Sequence, residues 1–175
     1  MYKYLLLFIV FSPIAPAAVV DGMHKLGAGE MSFLFWRLYR AELYSQDASL
    51  MAAVKLDADA YLAQSKDKAL RIEYFKQIDK QDLLDATEEQ WRHLDYDQAS
   101  IERWLVSLRH IWPDVVPGDV LTLVVTTTGE SHFYFGEYAI GKVEDGDFGR
   151  AFLSIWLSKK TSQPQLRAQL LGLTS

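Results

Sequence analysis

The chain has 175 residues, a length typical of one domain, and half of them are apolar, which suffices for one hydrophobic core. Its formal net charge of -5 and scattered basic residues argue against a nucleic-acid partner, which would need a basic patch. The absence of cysteine excludes disulfides, a thiol nucleophile and a thiolate metal site.

The first eighteen residues have the layout of a secretory signal peptide. Lys3 precedes an apolar run at residues 4–11, and residues 15–17 form an A-x-A-like cleavage site. The run is shorter than the roughly 20 residues that a membrane-spanning helix needs. We predict cleavage near Ala17 or Ala18, export to the periplasm, and a mature domain at residues 19–175 with no stable membrane span. The alternative is a buried N-terminal strand.

The first part of the mature chain is predicted to be strand-rich. Residues 22–29 form a loose, glycine-spaced segment, and residues 31–44 form two strands or one long bent strand. Residues 52–56 are predicted as a short strand, and residues 57–64 as a loop or a weak helical turn. Alternation divides the later part of the first long segment into two faces: Leu38, Arg40, Glu42 and Tyr44 against Tyr39, Ala41 and Leu43.

A strand predicted at residues 69–78 leads into two amphipathic helices. Asp79 is expected to cap the first helix, with Asp82 completing a near capping box. The second begins at Asp97 or Ser100 and ends before Pro113. Both helices carry an apolar stripe at helical spacing: Leu83, Leu84, Thr87, Trp91 and Leu94, then Ile101, Trp104, Leu105, Leu108, Ile111 and Trp112.

Three short strands and two helices complete the chain. The strands are predicted at residues 120–127, 132–135 and 138–143, with Gly136-Glu137 as a two-residue turn of type II′ character. The first C-terminal helix starts after Asp147 and ends before Lys159, and the second starts near Pro164 and ends at Gly172. No βαβ alternation occurs, so the predicted class is α+β, with an antiparallel sheet and helices on one face.

Four segments resemble the chalcone isomerase-like family, in its bacterial exported branch. They are Gly27-Ala28-Gly29 with residues 35–44, residues 70–78, residues 104–119, and the C-terminal pattern F-x-x-A-F-x-x-I-W-L that begins at Phe148. The resemblance implies an open-faced β-sandwich, in which a helical layer packs on a curved antiparallel sheet and a ligand cleft lies between them. Family members include isomerases that close a chalcone and fatty-acid-binding relatives without that activity.

The resemblance also indicates which catalytic groups this chain carries. The family's enzymes use an arginine before the first long strand, a threonine within it and a tyrosine–asparagine pair on the helical layer. The arginine should fall near Met23 or His24, but residues 22–29 contain no arginine. The threonine should fall near Leu34, which has no hydroxyl. Tyr96 is present, but the chain contains no asparagine. The sequence therefore favours a non-catalytic member over an enzyme.

Four strand residues are predicted to bind a ligand: Arg71, Tyr74, Tyr39 and Arg37. An arginine pointing into the cleft would pair with a ligand carboxylate, and a tyrosine would donate its hydroxyl. The simpler interpretation is that the arginines lie on a solvated strand face and the tyrosines belong to the core.

Neither a metal nor a cofactor is predicted, because the four histidines lack ligand spacing and no phosphate-binding loop occurs. The favoured function is an exported, non-catalytic protein that binds a small apolar or amphipathic ligand, such as a fatty acid, in the sheet–helix cleft. One alternative is an isomerase or intramolecular lyase that acts through Arg71, Tyr74 and Tyr39. Another is a periplasmic protein-interaction module with an exposed apolar patch.

Overall fold

The structure is a computed structural model that describes residues 19–49 and 57–174. The predicted signal peptide and the strand predicted at residues 52–56 lie outside the described residues. The strands are β1 (His24–Phe33), β2 (Trp36–Ser45), β3 (Lys68–Tyr74), β4 (Val120–Val125), β5 (Ser131–Phe135) and β6 (Tyr138–Val143). The helices are α1 (Ala58–Ala63), α2 (Lys80–His93), α3 (Gln98–Ile111), α4 (Phe148–Leu157) and α5 (Pro164–Leu170).

The strands form one sheet in sequence order, β1 to β6, and every neighbouring pair is antiparallel. Alternation gives the sheet an inner, apolar face that packs in the hydrophobic core with the helices. The outer face carries charged and polar residues such as Arg40, Glu42 and Arg71. The predicted α+β class with an antiparallel sheet and a helical layer is confirmed.

Helix α4 lies at the centre of the core. Nine of its ten residues are buried, all except Arg150, and they include Phe148 and Phe152, whose rings stack on each other at 5.6 Å. Trp91 of α2 is fully buried, contacts both phenylalanine rings edge-on, and donates its indole N–H to the carbonyl of Ala151 at 3.0 Å. Edge-on aromatic pairs contribute about 0.5–1.5 kcal/mol each beyond their buried area, so this cluster joins α2 and α4 firmly.

The segment predicted to be loose, residues 22–29, is mostly strand. Residues 31–44 form two strands, as one of the two predicted alternatives had it, but β1 already begins at His24. Glycine is needed there because α5 packs directly on β1. A Cβ atom on Gly27 would lie 2.3 Å from the carbonyl oxygen of Leu170. Glycine spacing in this chain therefore marks close approach of a helix to a strand.

The helix starts differ from the sequence expectation in one place. Helix α3 begins at Gln98, next to Asp97, one of its two predicted starts, and Asp97 caps it, because its carboxylate accepts the backbone N–H of Ser100 at 2.9 Å. Asp79 makes no such bond at α2. The N–H of Lys80 instead donates to Asp114 at 2.7 Å, a residue 34 positions away, which a local capping pattern cannot reveal.

Two shorter elements also differ. β3 ends at Tyr74, and the chain beyond it leaves the sheet, with Ile78 pairing only with Val115. Residues 58–63 form helix α1, capped by Asp57, where a loop or a helical turn was expected. Within the described ranges, no helix is long and apolar enough to cross a membrane.

Candidate ligand-binding cavity

A cavity of about 360 Å³ lies between the inner face of the sheet and helices α2 and α4. This volume falls within the usual range of small-molecule sites, roughly 300–1,000 Å³. The strands contribute alternate aliphatic residues because only every second side chain faces inward. The apolar residues around the cavity include Leu70, Ile72, Leu121, Leu123, Phe133, Phe152, Ile155 and Trp156.

Helix α2 forms one wall and a rim of the cavity. Leu83, Ala86 and Gln90 lie three to four residues apart, so they share one face of the helix. Asp82 and Ala86 are exposed, as is Ser162 in the loop before α5, and these residues place the mouth of the cavity between α2 and that loop. Ser162 donates its hydroxyl to the side-chain oxygen of Gln90 at 2.6 Å, which links the two sides of the mouth.

Tyr39 and Tyr74 both line the cavity, from paired positions on β2 and β3. Their ring centroids are 6.1 Å apart in an edge-on arrangement. The indole N–H of Trp156 donates to the Tyr39 hydroxyl oxygen at 3.0 Å. Within the described residues, the Tyr74 hydroxyl has no hydrogen-bond partner, although Tyr74 is only 6% exposed. The cavity therefore contains one hydroxyl oriented by an indole and one that is free.

The cavity environment disfavours negative charge on both tyrosines. Burial raises the pKa of Tyr39 to about 12, although the hydrogen bond from Trp156 acts in the opposite direction. Burial and the neighbouring Tyr39 raise the pKa of Tyr74 well above its ordinary value. Both hydroxyls are therefore protonated at neutral pH and act as neutral hydrogen-bond donors.

The two predicted arginines lie outside the cavity. Arg71 is on the outer face, where it pairs with Glu42 at 3.3 Å and with Glu73 at 3.7 Å. Arg37 contacts Glu30 at 3.1 Å and stacks on the ring of Phe75. The described residues around the cavity include no arginine, lysine or histidine. A ligand held inside therefore does not meet either arginine, which corrects this part of the sequence-based expectation.

Alternation accounts for Arg71, because Leu70 and Ile72 face inward and the residue between them faces outward. Arg37 shares the parity of Tyr39, which would direct it inward. The pairing of β1 with β2 shifts register between the pairs Met31–Tyr39 and Ser32–Arg37, so Leu38 is an extra residue in β2 and the alternation is interrupted there. Leu38 and Tyr39 accordingly both line the cavity, although alternation in the sequence puts them on opposite faces. Residue parity in the sequence cannot reveal such a bulge.

Glu42 organises the outer face. Its carboxylate accepts bonds from Lys25 at 3.0 Å and from the Tyr44 hydroxyl at 2.8 Å, and it lies near Arg40 and Arg71. Burial alone would raise the pKa of Glu42, but the Lys25 and Tyr44 hydrogen bonds and the nearby cations bring that pKa below its ordinary value. This cluster is a self-contained ion network on the side of the sheet away from the cavity.

The family's catalytic positions are not assembled at the cavity. Tyr96 shares a hydrogen bond with Ser154 at 3.1 Å, and Leu34 lies in the exposed turn between β1 and β2; neither lines the cavity. No group of acidic residues and histidines in the described ranges is arranged to hold a metal ion. The cavity residues that the sequence analysis did not select include Trp156 and Gln90. In the sequence, Trp156 is only part of the apolar C-terminal pattern that begins at Phe148, and core and cavity residues share such a pattern.

Comparisons with known proteins address the fold and the family. A crystal structure of a fatty-acid binding protein from Arabidopsis thaliana matches with a TM-score of 0.70, at 14% identity, over 90% of each chain. This likeness shows the fold. No curated protein matches the sequence. The family model described as chalcone isomerase-like matches residues 21–172. The chain therefore belongs to the chalcone isomerase-like family.

Proposed function

We propose that this protein is an exported, non-catalytic binder of a small amphipathic ligand, such as a fatty acid. The observation that carries the proposal is the cavity between the sheet and the helices, which is lined almost entirely by aliphatic and aromatic side chains. Burial of each methylene group in such a space stabilises a complex by about 0.8 kcal/mol. A ligand with an alkyl chain suits this lining better than a sugar or a nucleotide.

The polar groups at the cavity favour binding over catalysis. Its titratable residues are Tyr39, Tyr74 and Asp82. The raised pKa values of both tyrosines leave them protonated and therefore unsuited to act as general bases near neutral pH. Asp82 is exposed at the mouth, away from the inner wall. The similarity to a fatty-acid binding protein of the same fold also supports binding over catalysis.

The location is proposed from the N-terminal sequence, in which a lysine, an apolar run and an A-x-A-like site occur in the order of a secretory signal. Cell fractionation of the full chain and of a variant without residues 2–18 tests it. Export predicts a shortened mature protein in the periplasmic fraction and retention of the deletion variant in the cytoplasm. A full-length chain in the cytoplasm would contradict it.

A chain-length series tests ligand binding. The delipidated protein is titrated calorimetrically with octanol, decanol and dodecanol. If the alkyl chain is buried, affinity should rise roughly tenfold for each added pair of methylenes until the cavity is full, and then level off. Failure of all three alcohols to bind, or an affinity that does not depend on chain length, would reject the proposal.

A further inference from the structure

We infer that the cavity selects ligands whose head group is an uncharged hydrogen-bond acceptor, held by the hydroxyls of Tyr39 and Tyr74. This inference rests on the proposed function and specifies the ligand class. Such a head group is an ester, an amide, a ketone, an alcohol or a protonated acid. We expect the inner wall of the cavity to reject an ionised carboxylate.

The first argument is the distribution of charge. The described residues around the cavity include no cation, and the strand arginines Arg71 and Arg37 are paired outside the cavity with Glu42 and Glu30. The acidic side chain that lines the cavity is Asp82, which would repel an anion at the mouth. Moving a carboxylate from water into such a site without a cationic partner costs several kcal/mol.

The second argument is the pair of hydroxyl donors. Tyr39 and Tyr74 occupy paired positions on β2 and β3, and in the described part of the chain neither phenol donates its proton to an acceptor. Tyr39 accepts a bond from Trp156, which polarises its hydroxyl toward donating onward. A buried tyrosine normally finds a partner for its hydroxyl, so a free one beside a cavity indicates that a ligand supplies the acceptor.

The test compares methyl decanoate with decanoate at a pH at which the free acid is ionised, and uses naphthalene as a probe with no acceptor. We expect the ester to bind at least ten times more tightly than the ionised acid. Tyr74→Phe should weaken ester binding severalfold and leave naphthalene binding unchanged, because only the hydroxyl is removed.

The outcomes separate this inference from the proposed function. If ionised decanoate binds as tightly as the ester, or if Tyr74→Phe weakens the ester and naphthalene alike, the head-group assignment is overturned while apolar binding stands. If none of the three probes binds to the folded wild-type protein, the proposed function itself fails. The thermal unfolding midpoint of each variant confirms that it is folded.

A second inference rests on the turn between β1 and β2. Four consecutive apolar residues, here called the apolar tip, lie exposed there: Phe33, Leu34, Phe35 and Trp36, with 63%, 77%, 98% and 60% of their surface accessible. Leu34 also adopts a left-handed backbone conformation with φ of 54°, which costs a non-glycine residue roughly 1–2 kcal/mol. Consecutive exposed apolar residues at a protruding turn indicate contact with an apolar partner.

We propose that this partner is the surface of a phospholipid bilayer. The ammonium group of Lys76 lies 4.1 Å from the Trp36 ring centroid and has no carboxylate partner among the described residues. Arg37 follows the tip directly but is paired with Glu30 at 3.1 Å, so Lys76 is the cation beside the tip that is available to a lipid phosphate. Tryptophan and phenylalanine insert at the level of lipid head groups, and adjacent cations complement lipid phosphates. Met31 and Leu38 each lie two residues from the tip and line the cavity, so docking would bring the cavity beside the bilayer.

Vesicle co-sedimentation tests the docking. Vesicles of phosphatidylcholine, with and without phosphatidylglycerol, are mixed with the wild-type protein, Phe35→Ser and the matched control Tyr138→Ser. Tyr138 is 78% exposed at the turn between β5 and β6. We expect the wild-type protein and Tyr138→Ser to sediment with vesicles, more so with phosphatidylglycerol, and Phe35→Ser to lose at least fivefold in bound fraction.

Two results would overturn the membrane assignment. One is a wild-type protein that stays in solution with both kinds of vesicle. The other is a concentration-dependent dimer, seen by size-exclusion chromatography, that Phe35→Ser abolishes while vesicle binding is absent. That result would assign the apolar tip to a second copy of this chain.

Discussion

At the scale of single residues, the two cavity tyrosines differ in what their hydroxyls do for the fold. The Tyr39 hydroxyl oxygen satisfies the indole N–H of Trp156, which is otherwise buried in an apolar layer. The Tyr74 hydroxyl satisfies nothing among the described residues. The same chemical change at the two positions therefore separates a structural hydroxyl from a free one.

Tyr39→Phe is expected to lower the free energy of unfolding by about 1–3 kcal/mol, because it leaves a buried donor without a partner. Tyr74→Phe, the matched control, is expected to change it by less than about 0.5 kcal/mol or to stabilise the protein. Urea denaturation of the ligand-free protein measures both. Equal losses in the two variants would contradict the assignment of hydrogen bonds in the cavity.

Glu42 gives a pH-dependent prediction. Its pKa is lowered in the folded state, so the stability that it contributes is fully present above the unfolded pKa of about 4.3 and is lost as pH falls through the lower folded pKa. Glu42→Gln should lower the free energy of unfolding by about 1–3 kcal/mol at neutral pH, since hydrogen bonds to a charged acceptor are lost.

The difference in unfolding free energy between the wild-type protein and Glu42→Gln should shrink as the pH is lowered below 4.3 or so. Denaturant titrations at several pH values test this. A difference that stays constant down to the lowest pH at which both proteins fold would contradict the ion network.

The face of the sheet on which a strand residue lies was predictable where alternation holds. Alternation put Arg71 on the opposite face from Leu70, Ile72 and Tyr74, as the structure has it, but it left open which face of β2 is buried. It could not place Arg37, because a register shift at Leu38 interrupts the alternation between Arg37 and Tyr39. The Asp114 cap of α2 was equally hidden, since it depends on a contact between residues far apart in sequence.

At the scale of elements, the contact between α5 and β1 explains the glycines of β1. A Cβ atom at Gly27 would lie 2.3 Å from the backbone oxygen of Leu170 and 2.5 Å from that of Gln169. Backbone atoms of a helix cannot move aside separately, so the whole helix would have to shift. The sequence predicts α5 but indicates a loose segment where the glycine-spaced half of β1 lies, because glycine spacing alone does not show that a helix approaches a strand.

Gly27→Ala should destabilise the protein by about 1–3 kcal/mol or more through overpacking. Gly146→Ala is the matched control, because a Cβ atom there meets nothing within 4 Å and the backbone does not require glycine. Thermal unfolding of both variants measures the effect. If the two substitutions lowered the melting temperature equally, the close packing of α5 on β1 would be contradicted.

At the scale of the whole molecule, periodicity predicted most of the element order, whereas only the family resemblance predicted the cavity. Helical and strand periodicities indicated a sheet followed by paired helices, and the absence of βαβ alternation made the sheet antiparallel, as found. A cavity is space that apolar side chains leave unfilled, and periodicity does not distinguish an apolar residue that meets a neighbour from one that meets empty space. Trp156 and Ile155 belong to the same stripe as the filled core.

The most direct test of the account is the affinity of decanol for a variant with a blocked cavity mouth. Ala86 lines the mouth on an exposed part of α2, whereas Glu89 is exposed on the same helix and does not line the cavity. Calorimetry should show one bound decanol in the wild-type protein and in Glu89→Trp, and at least tenfold weaker binding in Ala86→Trp. Equal affinities in all three proteins would contradict binding in the sheet–helix cavity.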